Sequence, residues 1–374
     1  MRIIHCLWDD KFMNGAIELF ETDKRHSNEY YYVSKDINRP FQYIKSEKAR
    51  RVNIESFLKI ASSADVVILH SLSSLSLSAI YRIPASVKVV WFIWGFDFYG
   101  SNYPVVPLAL YMPDTLRFKN THKDAFSFNK RLRILFLDLR KRFLLDKALA
   151  RIDYFSGVYP YEYDLLCQTR EAFHGKPLDF YYGSLPFFIK DEVDLYIKKP
   201  RKNVIVGNSG DPTNNHYEAL TAISSLSLDE DGRIIIPLSY NATDEYKTWI
   251  RQYAEQLFPG KVNTLESYLP FDEYSELVSG CRVAIYNHIR QQASDNILMQ
   301  MLYGAKVYLS EASLAFDYFK GLGLSVFSLE SDVNSINIPI SDEEIYKNRR
   351  IISSIYGESS IIQRIIKIND CLSK

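Results

Sequence analysis

The stretch N-V-I-V-G-N-S-G-D-P-T-N-N-H-Y-E-A-L, Asn203 to Leu220, decides the fold. Val204, Ile205 and Val206 predict a buried strand, Gly207 to Asn215 a tight polar loop, and the residues after it a helix. A strand that ends in a glycine-containing loop before a helix N-terminus is where an α/β protein holds an anion. Bare amides and partial positive charge converge there, and Gly207 and Gly210 let the backbone come close. Asn208, Ser209, Asp211, Asn214 and Asn215 supply more donors and acceptors than a turn needs. A polar βα loop capped by Asn or Asp has the same composition, so the rest of the chain must decide.

The alternation continues downstream. Arg233–Leu238 predicts a strand, followed by Ser239 and Tyr240. Asp244–Leu257 and Phe271–Ser279 predict helices, and Val283–Tyr286 a strand ending in N-H-I-R-Q-Q, Asn287 to Gln292. A helix then runs to Gly304, Lys306–Leu309 is a strand ending in Ser310 and Glu311, Ser325–Phe327 is a last short strand, and the tail from Glu343 is helical. Upstream the pattern is similar. Ile3–Leu7, Tyr30–Val33, Ala64–His70, Val87–Trp94 and Ile152–Val158 read as buried strands, with Phe180–Phe188 closing the sheet. Short apolar strands alternating with helices argue for parallel sheets. Ligands then gather at the loops after the strands' carboxyl ends, where Asp9, Asp10, His70 and Asp97 fall.

With 374 residues the chain exceeds one ordinary core, so two domains are expected. The fold class is α/β, with two Rossmann-like parallel-sheet domains facing across a cleft, the GT-B layout. The expected boundaries are 1–189, a charged linker at 190–202, and 203–374. Formal net charge is zero, which gives no global field for nucleic acid. Cys6, Cys167, Cys281 and Cys371 are far apart with no C-x-x-C pair, so neither a zinc site nor a disulfide framework is expected. No stretch reaches the roughly 18 apolar residues of a membrane span, and the N-terminus lacks the form of an export signal. Residues 115–151 carry eleven Lys or Arg against three Asp, interleaved with Phe and Leu. That basic amphipathic pattern suits an anionic membrane surface or a solvated helix packed on its own domain.

Three motifs together resemble glycosyltransferase family 56, the TDP-N-acetylfucosamine:lipid II N-acetylfucosaminyltransferases, also called 4-α-L-fucosyltransferases. They are V-G-N-S-G-D-P-T-N-N-H (Val206–His216), F-I-W-G-F-D-F-Y (Phe92–Tyr99) and R-Q-Q (Arg290–Gln292). The resemblance implies a GT-B enzyme, a TDP-sugar donor and no cofactor. It also implies a polyprenyl-diphosphate-linked saccharide as acceptor, at the cytoplasmic face of the inner membrane. One departure stands out. Where family members carry glycine or small apolar residues after the Gln pair, this chain has A-S-D-N, Ala293 to Asn296, and the Asp295 carboxylate suits a helix start.

A diphosphate needs amide donors and a cation, which Arg290, Gln291 and Gln292 before a helix N-terminus provide. The expected donor-side residues are Gly207, Asn208, Ser209, Gly210, Asp211, Asn215, His216, Tyr240, Arg290, Gln291, Gln292, Asn296 and Glu311. No D-x-D motif is placed between short strands, so a metal-independent transfer is expected. Transfer also needs a base for the acceptor hydroxyl. Asp97 is the first candidate and Asp10 the second, although Asp97 equally suits a helix cap. A nucleotide-sugar epimerase of the same architecture and a non-catalytic sugar-nucleotide-binding relative are the alternative readings.

Overall fold

The computed structural model describes residues 1–10, 12–100, 104–122, 141–182 and 201–374. The chain forms two α/β units. One comprises 1–108, 125–184 and 358–374, the other 109–124 and 185–357.

The first unit is built on a seven-stranded sheet. Its strands are β1 (Arg2–Cys6), β2 (Ser27–Val33), β3 (Ala49–Val52), β4 (Val66–Leu69), β5 (Lys88–Phe92), β6 (Tyr154–Ser156) and β7 (Lys176–Pro177). They lie in the order β3-β2-β1-β4-β5-β6-β7, and every described pairing is parallel. The apolar runs β1, β4 and β5 are buried on both faces, as a helix-covered parallel sheet requires. The order reverses at β1, which has β2 on one side and β4 on the other. The crevice at the carboxyl ends of β1 and β4 is therefore this sheet's switch point.

The second unit has six parallel strands: β8 (Asn203–Val206), β9 (Ile234–Pro237), β10 (Val262–Leu265), β11 (Cys281–Tyr286), β12 (Lys306–Leu309) and β13 (Phe327–Ser328). Their order is β10-β9-β8-β11-β12-β13, so the switch point lies at the ends of β8 and β11. The helix Asp244–Leu257 starts where Thr243 accepts the Tyr246 N–H, and it lays Tyr246, Ile250 and Ala254 on the core. Ser294–Tyr303 ends at Gly304, whose φ of +85° suits glycine.

Several elements differ from expectation. β3 was not legible in A-R-R-V, an edge strand whose charged residues give no apolar alternation. The first sheet closes with Lys176–Pro177. Phe180–Tyr182 is not a strand, and 183–188 lies outside the described residues. The helical tail is two helices, Asp342–Tyr356 and Glu358–Leu372, and the second belongs to the first unit. There Ile365, Ile368 and Leu372 join Ile3, Phe20 and Phe92 in one core. Arg25 ties the loop after Phe20 to Asp370, and Asp23 accepts from Asn369.

About half of the expected basic segment, 123–140, and residues 190–200 of the expected linker lie outside the described residues. The described ends of the basic segment belong to different units. Helix Pro113–Thr121 joins the second, where Glu218 accepts the Asp114 and Thr115 N–H groups at 2.9 Å and caps it from another element. Residues 141–149 are helical and join the first. Arg151 is a packing residue. Its guanidinium donates to the carbonyls of Ile83 and Pro84.

Candidate functional site

The second unit's switch point is the loop of the opening stretch. Gly207 has φ +76°, and a Cβ there would lie 2.5 Å from His216 Nε2, so only glycine fits. Asn214 shapes the residues between Asn208 and Asp211. Its Nδ2 donates to the carbonyls of Ser209 and Asp211 at 3.0 Å, and its Oδ1 accepts the Asn208 N–H at 3.2 Å. Gly210 donates its N–H to the Tyr240 carbonyl at 2.9 Å. A Cβ on Gly210 would lie 2.4 Å from Ala242 Cβ, so this glycine lets the β8 and β9 loops touch. The Tyr240 ring, 50% exposed, reaches back with its hydroxyl 3.4 Å from the Asn208 carbonyl.

The β11 loop closes on the same place. Gln292 Nε2 donates to Asn208 Oδ1 at 2.8 Å, and its Oε1 lies 2.8 Å from the Thr213 hydroxyl. The largely buried Arg290 guanidinium stands 3.9 Å from Asp211 Oδ2 and donates to the Gln291 carbonyl. Ala293, with φ +58°, turns the chain directly into helix Ser294–Tyr303, whose first turn holds Asp295. A helix N-terminus, a guanidinium and three polar loops therefore share one end of the sheet. Partial positive charge from the helix adds to that of Arg290. Asp211 compensates part of it.

Asn215 and His216 belong to the interior beneath this loop. Asn215 is in the left-handed region. Its Oδ1 accepts the Met112 N–H at 2.9 Å, and its Nδ2 donates to the Asn287 carbonyl at 2.9 Å. His216 Nδ1 lies 3.1 Å from the Tyr246 hydroxyl, and burial pushes the imidazole down to about 3, so it is neutral. His288 is buried to the same effect.

In the first unit, Asp97 is 8% exposed and accepts four hydrogen bonds. Oδ2 takes the Ser71 hydroxyl (2.8 Å), the Leu72 N–H (2.6 Å) and the Trp91 indole (3.1 Å), and Oδ1 takes the Trp94 N–H (2.7 Å). Burial nevertheless pushes its pKa up to about 6. Sequence reasoning missed its buried neighbour Glu162, pushed up to about 7 by burial. Glu162 accepts from the Tyr99 hydroxyl (2.7 Å) and the Tyr159 N–H (2.8 Å). In Y-P-Y-E-Y-D this residue reads as an ordinary first-turn acid. Asp9 accepts the N–H groups of Gln42, Tyr43 and Ile44 and pairs with Arg51. Asp10 is partly exposed at the end of β1, where its Oδ1 accepts the Phe12 N–H. His70 and His5 pack as a buried pair, 3.0 Å between ring nitrogens.

Residues 180–347 match the family model described as 4-alpha-L-fucosyltransferase glycosyl transferase group 56. The family match is to group 56. It covers the Val206–His216 and Arg290–Gln292 motifs and so bears out the resemblance read from the sequence over that span. Solved structures share the fold at low identity. Sucrose-phosphate synthase from Thermosynechococcus elongatus superposes with a TM-score of 0.65 at 11% identity, covering 100% of this chain and 99% of that one. The lipopolysaccharide outer core galactosyltransferase WaaB gives 0.60 at 10%, with 99% of each chain covered. HepE of Anabaena, solved with UDP and glucose, gives 0.62 at 13%, covering 100% of this chain and 99% of that one. The fold is GT-B. Fold and group 56 match together support a glycosyltransferase.

Within the group 56 span, the structure brings together Gly207, Asn208, Ser209, Gly210, Asp211, Tyr240, Arg290 and Gln292. It holds the other expected residues differently. Gln291 donates to the Ser294 hydroxyl, and Asn296 accepts from Tyr274. Glu311 accepts from the hydroxyls of Ser328 and Ser331 at 2.6 Å, which lowers its pKa and fixes the turn after β13. Asn214, the residue that shapes the loop, has only the N-N-H run as its signal. Among the described residues no cluster of His, Cys, Asp or Glu is arranged to hold a metal, and no helix is long and apolar enough to cross a membrane.

Proposed function

We propose that this chain moves an amino-deoxy sugar such as N-acetylfucosamine from a TDP-sugar to a polyprenyl-diphosphate-linked saccharide in bacterial surface glycan synthesis. The observation that carries the reading is the meeting of Asn208, Asp211, Arg290 and Gln292 at the β8/β11 switch point, in front of a ten-residue helix. That is a diphosphate-binding chemistry: amides, carboxamides and one guanidinium. Tyr240, half exposed over the same loop, offers a stacking face for the base. The sugar and acceptor are inferred from the group 56 match and the three motifs.

In the transfer, an acceptor hydroxyl oxygen bonds to the anomeric carbon. The bond from that carbon to the diphosphate oxygen breaks, and the nucleoside diphosphate leaves with the electron pair. Arg290 and the helix amides take up the developing charge, in the role a metal plays elsewhere. The hydroxyl proton goes to a carboxylate. We assign it to Asp10 rather than Asp97. Four donors already occupy the Asp97 oxygens, and its work is to hold the turns after β4 and β5. Work at the cytoplasmic face of the inner membrane is supported by the helical residues 141–149. There Phe143 is 59% exposed, and the Lys147 ammonium lies 4.4 Å from its ring centroid and 5.5 Å from that of Tyr81.

A thermal-shift panel of TDP-, UDP- and GDP-sugars tests the donor class. A TDP-sugar should raise the melting temperature most. No shift with any of the three would remove the reading. Asp10→Asn should keep that shift and lower turnover about a hundredfold or more.

A further inference from the structure

The two units place different chemistry at their switch points. The second presents amides, carboxamides and a guanidinium. The first, in the segments after β1 and β5, presents aromatic rings, with the Asp10 carboxylate two residues along the chain from one of them. Trp8 lies two residues past β1, and Phe96 sits in the short helical turn Gly95–Phe98 after β5. Their ring centroids are 5.5 Å apart at 40°. Phe96 is 41% exposed and Trp8 partly so. Trp94 backs Phe96 at 6.3 Å and packs on Phe12 at 5.5 Å.

The framework behind these rings is stiff. The Trp94 indole donates to the Tyr182 hydroxyl at 2.9 Å, and its N–H donates to Asp97. Asp97 thereby fixes the turn that carries Phe96. Asp10 donates its N–H to the Trp8 carbonyl at 2.9 Å, so Asp10 and Trp8 share the turn after β1.

We infer that Trp8 and Phe96 form a platform for one pyranose ring. A pyranose has a C–H face that is apolar and a rim of hydroxyls. The face lies against the exposed rings, and a rim hydroxyl donates to Asp10. Partly exposed, pre-positioned aromatic rings beside one polar group are the usual way a site orients a ring ligand. The identification of this ring as the acceptor's sugar rests on the proposed transfer, whereas the platform itself rests on the first unit alone.

The experiment is saturation-transfer difference NMR on the full chain with methyl glycosides of glucose, galactose and N-acetylglucosamine. At least one should receive saturation at its ring C–H protons. Trp8→Ala and Phe96→Ala should each weaken that binding about tenfold. Phe96→Tyr, which keeps the ring, should retain it. Far-ultraviolet circular dichroism on each variant checks that the fold persists. No saturation of any glycoside by the wild type overturns the platform, as does binding unchanged in both alanine variants. TDP-sugar thermal shifts on the same samples separate the two claims. Nucleotide binding without ring saturation sinks the platform alone, and ring saturation without nucleotide binding sinks the donor reading alone.

Discussion

Asp97→Asn separates two roles for this carboxylate, and the size of its effect depends on the surroundings. Burial raises the folded-state pKa to about 6, from about 3.8 in the unfolded chain. A carboxyl shifted upward stabilises the fold below its unfolded pKa, and that contribution is lost as pH rises through the folded pKa. Linkage over this interval gives a loss of about 1.4 kcal/mol between pH 5 and pH 8 from this one group. Asparagine does not titrate, so the variant lacks this slope. Its amide can keep its oxygen toward Ser71, Leu72 and Trp91, but its nitrogen then meets the Trp94 N–H, donor against donor. That mismatch costs about 1–3 kcal/mol at any pH.

The variant should therefore be clearly less stable at pH 5, and the gap should shrink by about 1.4 kcal/mol at pH 8. Glu162 titrates in both proteins and cancels to first order. Urea unfolding followed by tryptophan fluorescence measures this. Of the four tryptophans, Trp8, Trp91 and Trp94 lie in the first unit, and two of them bond to Asp97. A constant gap across the pH range would refute the reasoning.

Three further outcomes are expected. Gly207→Ala should destabilise the second unit by about 2 kcal/mol or more, from left-handed strain plus the clash with His216, and calorimetry would show it. Arg290→Ala should weaken TDP-sugar affinity about tenfold to a hundredfold, read by isothermal titration, with stability changed much less than affinity. Glu218→Ala strips the acceptor from Asp114, Thr115 and the Thr115 hydroxyl. It should cost about 1–3 kcal/mol, and amide exchange over 113–121 should speed up.

The strands were legible where burial on both faces writes a continuous apolar run. Asn203–Val206 and Lys306–Leu309 appear at their expected bounds, and Asp244–Leu257 is equally plain from its cap and periodicity. β3 was not, because an edge strand needs no such run. The polar residues of the site were legible as a set but not by direction. Asn208 and Asn215 read alike in sequence, yet one borders the switch point and the other is wholly enclosed, bonded to Met112 and Asn287. That choice is made by the left-handed turn at Asn215 and by partners 103 and 72 positions away, which no local window contains. Asp97 is a mixed case, because Trp91 and Trp94 are local whereas Ser71 and Leu72 lie 26 and 25 positions away. Its position at a strand end suggested chemistry and a helix cap equally, and its four donors come from two stretches, its own and the turn after β4.

The return of Glu358–Leu372 to the first unit has a consequence for synthesis. Ile3, Phe20 and Phe92 leave the ribosome long before Ile365, Ile368 and Leu372, which cover them. The first unit's core is thus closed only after 109–357 has been made. Its sticky surface stays open while the whole second unit is translated, and premature termination before Glu358 should yield a product prone to clumping rather than a usable half.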